Sequence, residues 1–176
     1  MQRVILQNQK GEGINLMVKE LDYDNIVKTH HMVRNIMFTL PGYNTRGAEE
    51  QITVYTTINL YKHISNTNRC NLIYVENYEV LGFLFANIEP HENKTVAYLE
   101  WNGVHPDVRQ KGVMQKLWDK FEAWSKERQV DGILVDTLTT NTPMIKFLEK
   151  NNVSIIRQMN NHWYGLDYFL WGKFYG

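Results

Sequence analysis

The chain has 176 residues, 43% hydrophobic and 22% charged, with 19 basic residues balancing 19 acidic ones. That length and composition suit one soluble domain with a substantial core, and zero net charge excludes a global field for nucleic acid or an anionic membrane. Cys70 is the one cysteine, so no intrachain disulfide forms; no run nears the roughly 18 to 20 apolar residues of a membrane span, and Met1 to Asn15 lacks the apolar core of a signal peptide, which makes the cytoplasm the expected compartment.

In chain order, residues 13–19 alternate apolar and polar side chains and are predicted as a strand. Asp22 to Met37 has helical spacing, with Ile26, Val27, His30, Val33 and Met37 near one face, and Leu40-Pro41-Gly42-Tyr43 ends it. Thr45 to Ile64 is predicted as a second helix. Asn71 to Glu76 and Val80 to Glu89 are apolar strands around a hairpin signal, Asn77-Tyr78-Glu79. Pro90 to Lys94 is read as a turn, and Thr95 to Val104 as the next strand. Val113 to Gln129 is the clearest helix, with Leu117, Trp118, Phe121 and Trp124 on one side. A short buried strand is predicted at Ile133 to Leu138. A helix from Thr142-Pro143 to about Asn151 follows, with Thr142 as its cap. Val153 to Gln158 and Asp167 to Phe174 complete the list as strands. Antiparallel neighbours followed by a strand-helix-strand unit predict a single-domain mixed α/β fold. Its sheet is mixed but mostly antiparallel, with about seven strands flanked by about four helices.

The chemistry concentrates in Val104-His-Pro-Asp-Val-Arg109-Gln-Lys-Gly112-Val-Met114-Gln-Lys-Leu117. A strand ends, a short loop follows, and a glycine opens a strong amphipathic helix. Helix N-termini carry unpaired N–H groups and positive partial charge, which suits a pyrophosphate. Gly112 would let a phosphate approach the backbone, and Arg109, Lys111 and Lys116 add charge on the same turn. Taken alone, these residues are equally compatible with a shaped loop carrying solvated charges.

This segment resembles the acyl-CoA signature of the GNAT superfamily of N-acetyltransferases: Gln or Arg, two residues, Gly, one residue, then Gly or Ala, shortly after a strand ending in valine. Arg109 and Gly112 match; Met114 stands where Gly or Ala is usual. Asn141-Thr-Pro-Met-Ile-Lys-Phe-Leu148-Glu-Lys-Asn-Asn-Val153 resembles the family's second motif. Asn141 matches a frequent coenzyme contact, and Leu148 replaces a tyrosine that often protonates the leaving thiolate. The resemblance spans nearly the whole chain in element order. It implies acetyl-CoA as co-substrate, held by Gly103 and Val104 at the strand end, by Arg109, Gln110, Lys111 and Gly112 in the loop, by Val113 and Met114 on the helix, and by Asn141. It also implies two splayed central strands that expose backbone groups to the thioester.

Amine acylation by a thioester needs a base, a polarised carbonyl and proximity. Glu100, a carboxylate in an otherwise apolar stretch of the strand ending at Val104, is the first candidate base, its rival role being a solvated or ion-paired glutamate. Tyr164, His162 and Tyr168 are candidate acids, with Tyr164 preferred. His30, His31 and His63 lack partners at ligand spacing, so no metal is expected. Cys70 opens an apolar strand and is not read as a nucleophile. The expected activity is direct acetyl transfer to a primary amine of a small molecule or a protein, with no nucleic acid or membrane partner and a homodimer left open. The alternatives are a coenzyme-binding module without turnover and an acylase acting on aminoacylated RNA.

Overall fold

Asn77 and Tyr78 both adopt left-handed backbone angles, φ 50 and 68. Two such residues are what a tight two-residue hairpin needs to match the twist of its strands. They join β3 (Arg69–Glu76) to β4 (Glu79–His91), with Glu76 opposite Glu79. The computed structural model describes residues 4–7, 13–37, 39, 49 and 52–176. Around this hairpin lie β1 (Val4–Gln7), β2 (Gly13–Glu20), β5 (Lys94–Val104), β6 (Gly132–Leu138), β7 (Ser154–Met159) and β8 (Tyr168–Phe174). They form one eight-stranded sheet in the order β1-β2-β3-β4-β5-β6-β8-β7. Every pairing is antiparallel except β5–β6. The eighth strand, beyond the seven expected, is β1 at the edge.

The helices are α1 (Ile26–Met37), α2 (Thr57–Ile64), α3 (Val113–Glu127) and α4 (Thr142–Lys150). Asp22 caps the turn that leads into α1, accepting from the Asn25 N–H at 3.1 Å. The predicted helix Thr45–Ile64 is not continuous. Residues 52–54 are helical, but Tyr55 turns inward and Thr56 leaves helical geometry to cap α2, accepting from the Asn59 N–H at 3.3 Å. Threonine is a better cap than helix interior, and the break lets the Tyr55 ring pack 5.1 Å from that of Phe85. The start of that segment, like Leu40-Pro41-Gly42-Tyr43, lies outside the described residues except at Glu49. Pro90 belongs to β4, not to a turn, and Glu92-Asn93 alone reverse the chain. Asn141, not Thr142, caps α4 by accepting from the Met144 N–H at 3.3 Å.

The two largest cores among the described residues lie on the two faces of the sheet. Leu117, Trp118 and Phe121 of α3 meet Leu84, Leu99 and Val135 on one face. Val33 and Ile36 of α1 and Leu60 of α2 meet Ile73, Phe83 and Phe85 on the other. Burying these large side chains contributes on the order of 1.5–3 kcal/mol each before entropy is subtracted. None of the described helices is long and apolar enough to cross a membrane.

Candidate active site

β5 and β6 pair over four rungs, from Val96↔Gly132 to Leu99↔Val135, and then part. Beyond that point residues 101–104 pair with β4 on one side only, so their other edge presents unpaired backbone polar groups to a wedge in the sheet. Phe85 lies opposite Trp101 and Ala86 opposite Leu99, which leaves Glu100 as an unpaired bulge residue. Such bulges re-aim a side chain beside a site. The wedge opens into a cleft of about 860 Å³ lined by β5, β6, α3, α4 and the turn around Trp163-Tyr164.

At one end of the cleft α3 begins. Gly112 has φ 76, and a Cβ built on it would meet nothing within 4 Å. Its left-handed backbone favours glycine, and the space before it is open. Gln110 is also left-handed, φ 62, whereas Arg109 is not, φ −61. No side chain caps α3, no acidic residue occupies its first turn, and the first N–H returning to Gly112 comes from Lys116. The amides of Val113 and Met114 are therefore available to an anion.

Arg109 lines the cleft and staples the loop, donating from Nε to the Val104 carbonyl at 3.1 Å. Gln110, Val113 and Met114 also line it; Lys111 does not, and Lys116 lies instead over the Tyr74 ring. Lys150 at the end of α4, unremarked in the sequence, supplies a further cation to the lining. Gln115 and Asn151 exchange two side-chain hydrogen bonds, 2.8 and 3.3 Å, and so tie the end of α4 to the start of α3. Asn141 lines the cleft with its Oδ1 committed to the helix cap, leaving its NH₂ for a ligand. Gly103 and Val104 line it as well. The missing side chain of Gly103 serves packing, since a Cβ there would come within 2.7 Å of Ile36 on α1. Leu148 is fully buried in the α3 core and lines no part of the cleft.

At the other end Glu100 is held end-on by Arg69, whose Nη2 donates to Oε2 and whose Nη1 donates to Oε1 at 3.2 Å. The Tyr55 hydroxyl donates to the same carboxylate at 3.4 Å. Asp136 emerges from β6 with its side chain 12% exposed. Its Oδ2 accepts from Trp163 Nε1 at 2.9 Å, and the Tyr98 hydroxyl also donates to it. Burial, only partly offset by those bonds, raises the Asp136 pKa above the ordinary carboxylate value. Burial first, and neighbouring carboxylates next, push the Tyr55 and Tyr98 phenols far up, so both stay protonated donors. Burial and the adjacent Arg69 charge depress His63, also on the cleft, to about 4, which makes it neutral near pH 7. Tyr164 lines the same end with left-handed angles, φ 58 and ψ 24. The predicted residues Glu100 and Tyr164 thus share one end of the cleft, and the predicted coenzyme residues other than Lys111 share its lining. Among the described residues no group of three or more His, Cys, Asp or Glu is placed to hold a metal ion.

The model of the Acetyltransferase (GNAT) family matches residues 34–152, more than half of the chain. The chain belongs to the GNAT acetyltransferase family. A GNAT acetyltransferase from Streptococcus pneumoniae shares the fold, with TM-score 0.75 and 16% identity, 92% of this chain and 99% of that one being covered. The PaiA N-acetyltransferase from Thermoplasma acidophilum, solved with coenzyme A, has TM-score 0.74 and 18% identity over 91% and 99% of the two chains. Arabidopsis thaliana NAA60 in complex with a bisubstrate analogue gives 0.68 and 16% over 90% and 97%. At these identities the likeness is one of fold. No curated protein matches the chain at a significant level.

Proposed function

We propose that the protein transfers an acetyl group from acetyl-CoA directly to a primary amine. The observation that carries this reading is continuity. A single cleft joins an uncapped helix N-terminus and the loop before it to an aromatic, carboxylate-bearing end, through a wedge of unpaired strand edge. The coenzyme A named for the PaiA structure and the bisubstrate analogue named for NAA60 agree with it. The open space at Gly112 and the free amides of α3 fit a pyrophosphate, with Arg109, Gln110 and Asn141 beside it. Lys111 would contribute through its charge near that loop.

Acetyl-CoA supplies an activated thioester. The chain would polarise the carbonyl through the open-edge N–H groups of β5 between Glu100 and Val104. Glu100 would take the amine's proton, through water where contact is indirect, while Arg69 and Tyr55 fix its orientation. Tyr164 would give a proton to the departing sulfur, a role that buried Leu148 cannot fill. That same burial favours one other reading, a coenzyme-binding module without turnover. Release of free thiol from acetyl-CoA, measured against a panel of amines, separates the two. Binding of acetyl-CoA without thiol release from any amine supports the module, and a failure of acetyl-CoA to raise Tm removes both.

A further inference from the structure

The acceptor end of the cleft carries more negative charge than it balances. Glu100 and Asp136 both line it around Tyr98, whose phenol their charges help to push up. Arg69 compensates Glu100 alone. Among the described residues, the one basic side chain within 4.0 Å of Asp136 is His162, at that limit and charged only when protonated. Trp163 and Tyr98 give Asp136 hydrogen bonds but no positive charge. A carboxylate offers about four acceptor positions, so these two donors, together with the Asp136 backbone N–H, leave room for one more. The walls beside it are aromatic: Tyr98, Trp163 and Tyr168 all line the cleft there. Aromatic faces attract a cation and do little for a neutral polar group.

We infer that Asp136 is the counter-ion for the acceptor's ammonium group, so that the enzyme selects amines that are cationic at neutral pH. The inference rests on the acyl-transfer reading of this cleft. It gives the two carboxylates at the wedge separate tasks: Asp136 seats the cation, and Glu100, already neutralised by Arg69, does not compete for it. Uncharged nucleophiles such as alcohols and arylamines lose the ion pair and keep only the aromatic contact.

The test compares n-butylamine, cationic at pH 7, with aniline, neutral at pH 7, as acceptors. Asp136→Asn is expected to raise KM for n-butylamine about tenfold or more, the worth of one charge-assisted contact, and to leave KM for aniline within about twofold. An equal change for both amines, or none for n-butylamine, overturns the inference. A second measurement uses the unmodified protein and no turnover. With coenzyme A bound, n-butylammonium chloride should lower the titration midpoint of the Asp136 carboxyl carbon in ¹³C NMR, and n-butanol should not. A midpoint unmoved by the ammonium overturns the inference even if transfer is observed. A midpoint that moves while no thiol is released from either amine upholds the counter-ion and sinks the transfer reading.

Discussion

Glu100 and Asp136 occupy matching positions on β5 and β6, each being the first residue beyond the last rung, Leu99↔Val135. Where the strands stop pairing, two carboxylates from strands far apart in sequence open into one wedge. Their surroundings separate them. Glu100 is ion-paired, whereas Asp136 is buried against neutral donors and has a raised pKa. A raised folded-state value means that the folded chain binds this proton more tightly than the unfolded chain does. That contribution is complete below the unfolded value, about 3.9, and is lost as pH rises through the folded value. At pH 7 the ionised Asp136 is therefore a cost. Asp136→Asn should raise Tm at pH 7, and the gain should shrink as pH falls toward the unfolded value. A Tm scan across pH checks it; a uniform loss of stability refutes the assignment.

Gly112 combines left-handed backbone with open space. Gly112→Asn should fold, since asparagine tolerates this conformation, and should weaken acetyl-CoA binding moderately. Gly112→Asp places a carboxylate where the pyrophosphate is proposed and should abolish the thermal shift given by acetyl-CoA. Equal shifts for the two variants would mean that the phosphate lies elsewhere.

Glu100→Gln should lower kcat/KM by roughly 10²- to 10⁴-fold, the usual worth of positioned acid–base catalysis, with acetyl-CoA affinity retained. The defect should shrink at high pH, where more amine is already deprotonated. Steady-state kinetics as a function of pH, paired with calorimetric titration of the coenzyme, measures both halves. An unchanged rate removes Glu100 from the chemistry and leaves it a partner of Arg69.

Tyr164→Phe tests the proton donor to the thiolate. A loss on the order of 10²-fold in kcat with intact coenzyme binding supports the donor. A raised KM for the amine with unchanged kcat makes Tyr164 an acceptor contact instead.

Lys150 lines the coenzyme end, and its helix is tied to α3 through Gln115 and Asn151. Lys150→Glu should weaken acetyl-CoA binding on the order of 3- to 10-fold at low ionic strength and far less in high salt, as for an exposed charge. Titrations at two salt concentrations decide it; a salt-independent loss would indicate a folding defect.

Periodicity located α3 and the hairpin at Asn77-Tyr78 because each element follows a local rule. Glu100 was visible for a similar reason, as one charge in an apolar strand. Asp136 carries the same signal within Gly132–Leu138, but its meaning comes from where β5–β6 pairing stops, which no local pattern encodes. Arg69 and Tyr55 reach Glu100 across separations of 31 and 45 residues, so only the fold brings them together. The break at Thr56 is hidden because its hydroxyl caps α2 within a run of residues that keeps helical spacing. Lys150 looked like an ordinary basic residue at a helix end.

The four-rung β5–β6 junction divides the sheet into two antiparallel halves, β1 to β5 and β6-β8-β7, which the chain crosses once, through α3. A molecule lodged in the wedge would touch both halves and act as a clasp between them. The amides of residues 100–104 facing the wedge should exchange with deuterium within the ligand-free protein and slow when acetyl-CoA is added, while those of β3 and β4 barely change. The gap that admits the substrate is thus also the line along which the empty protein is expected to breathe.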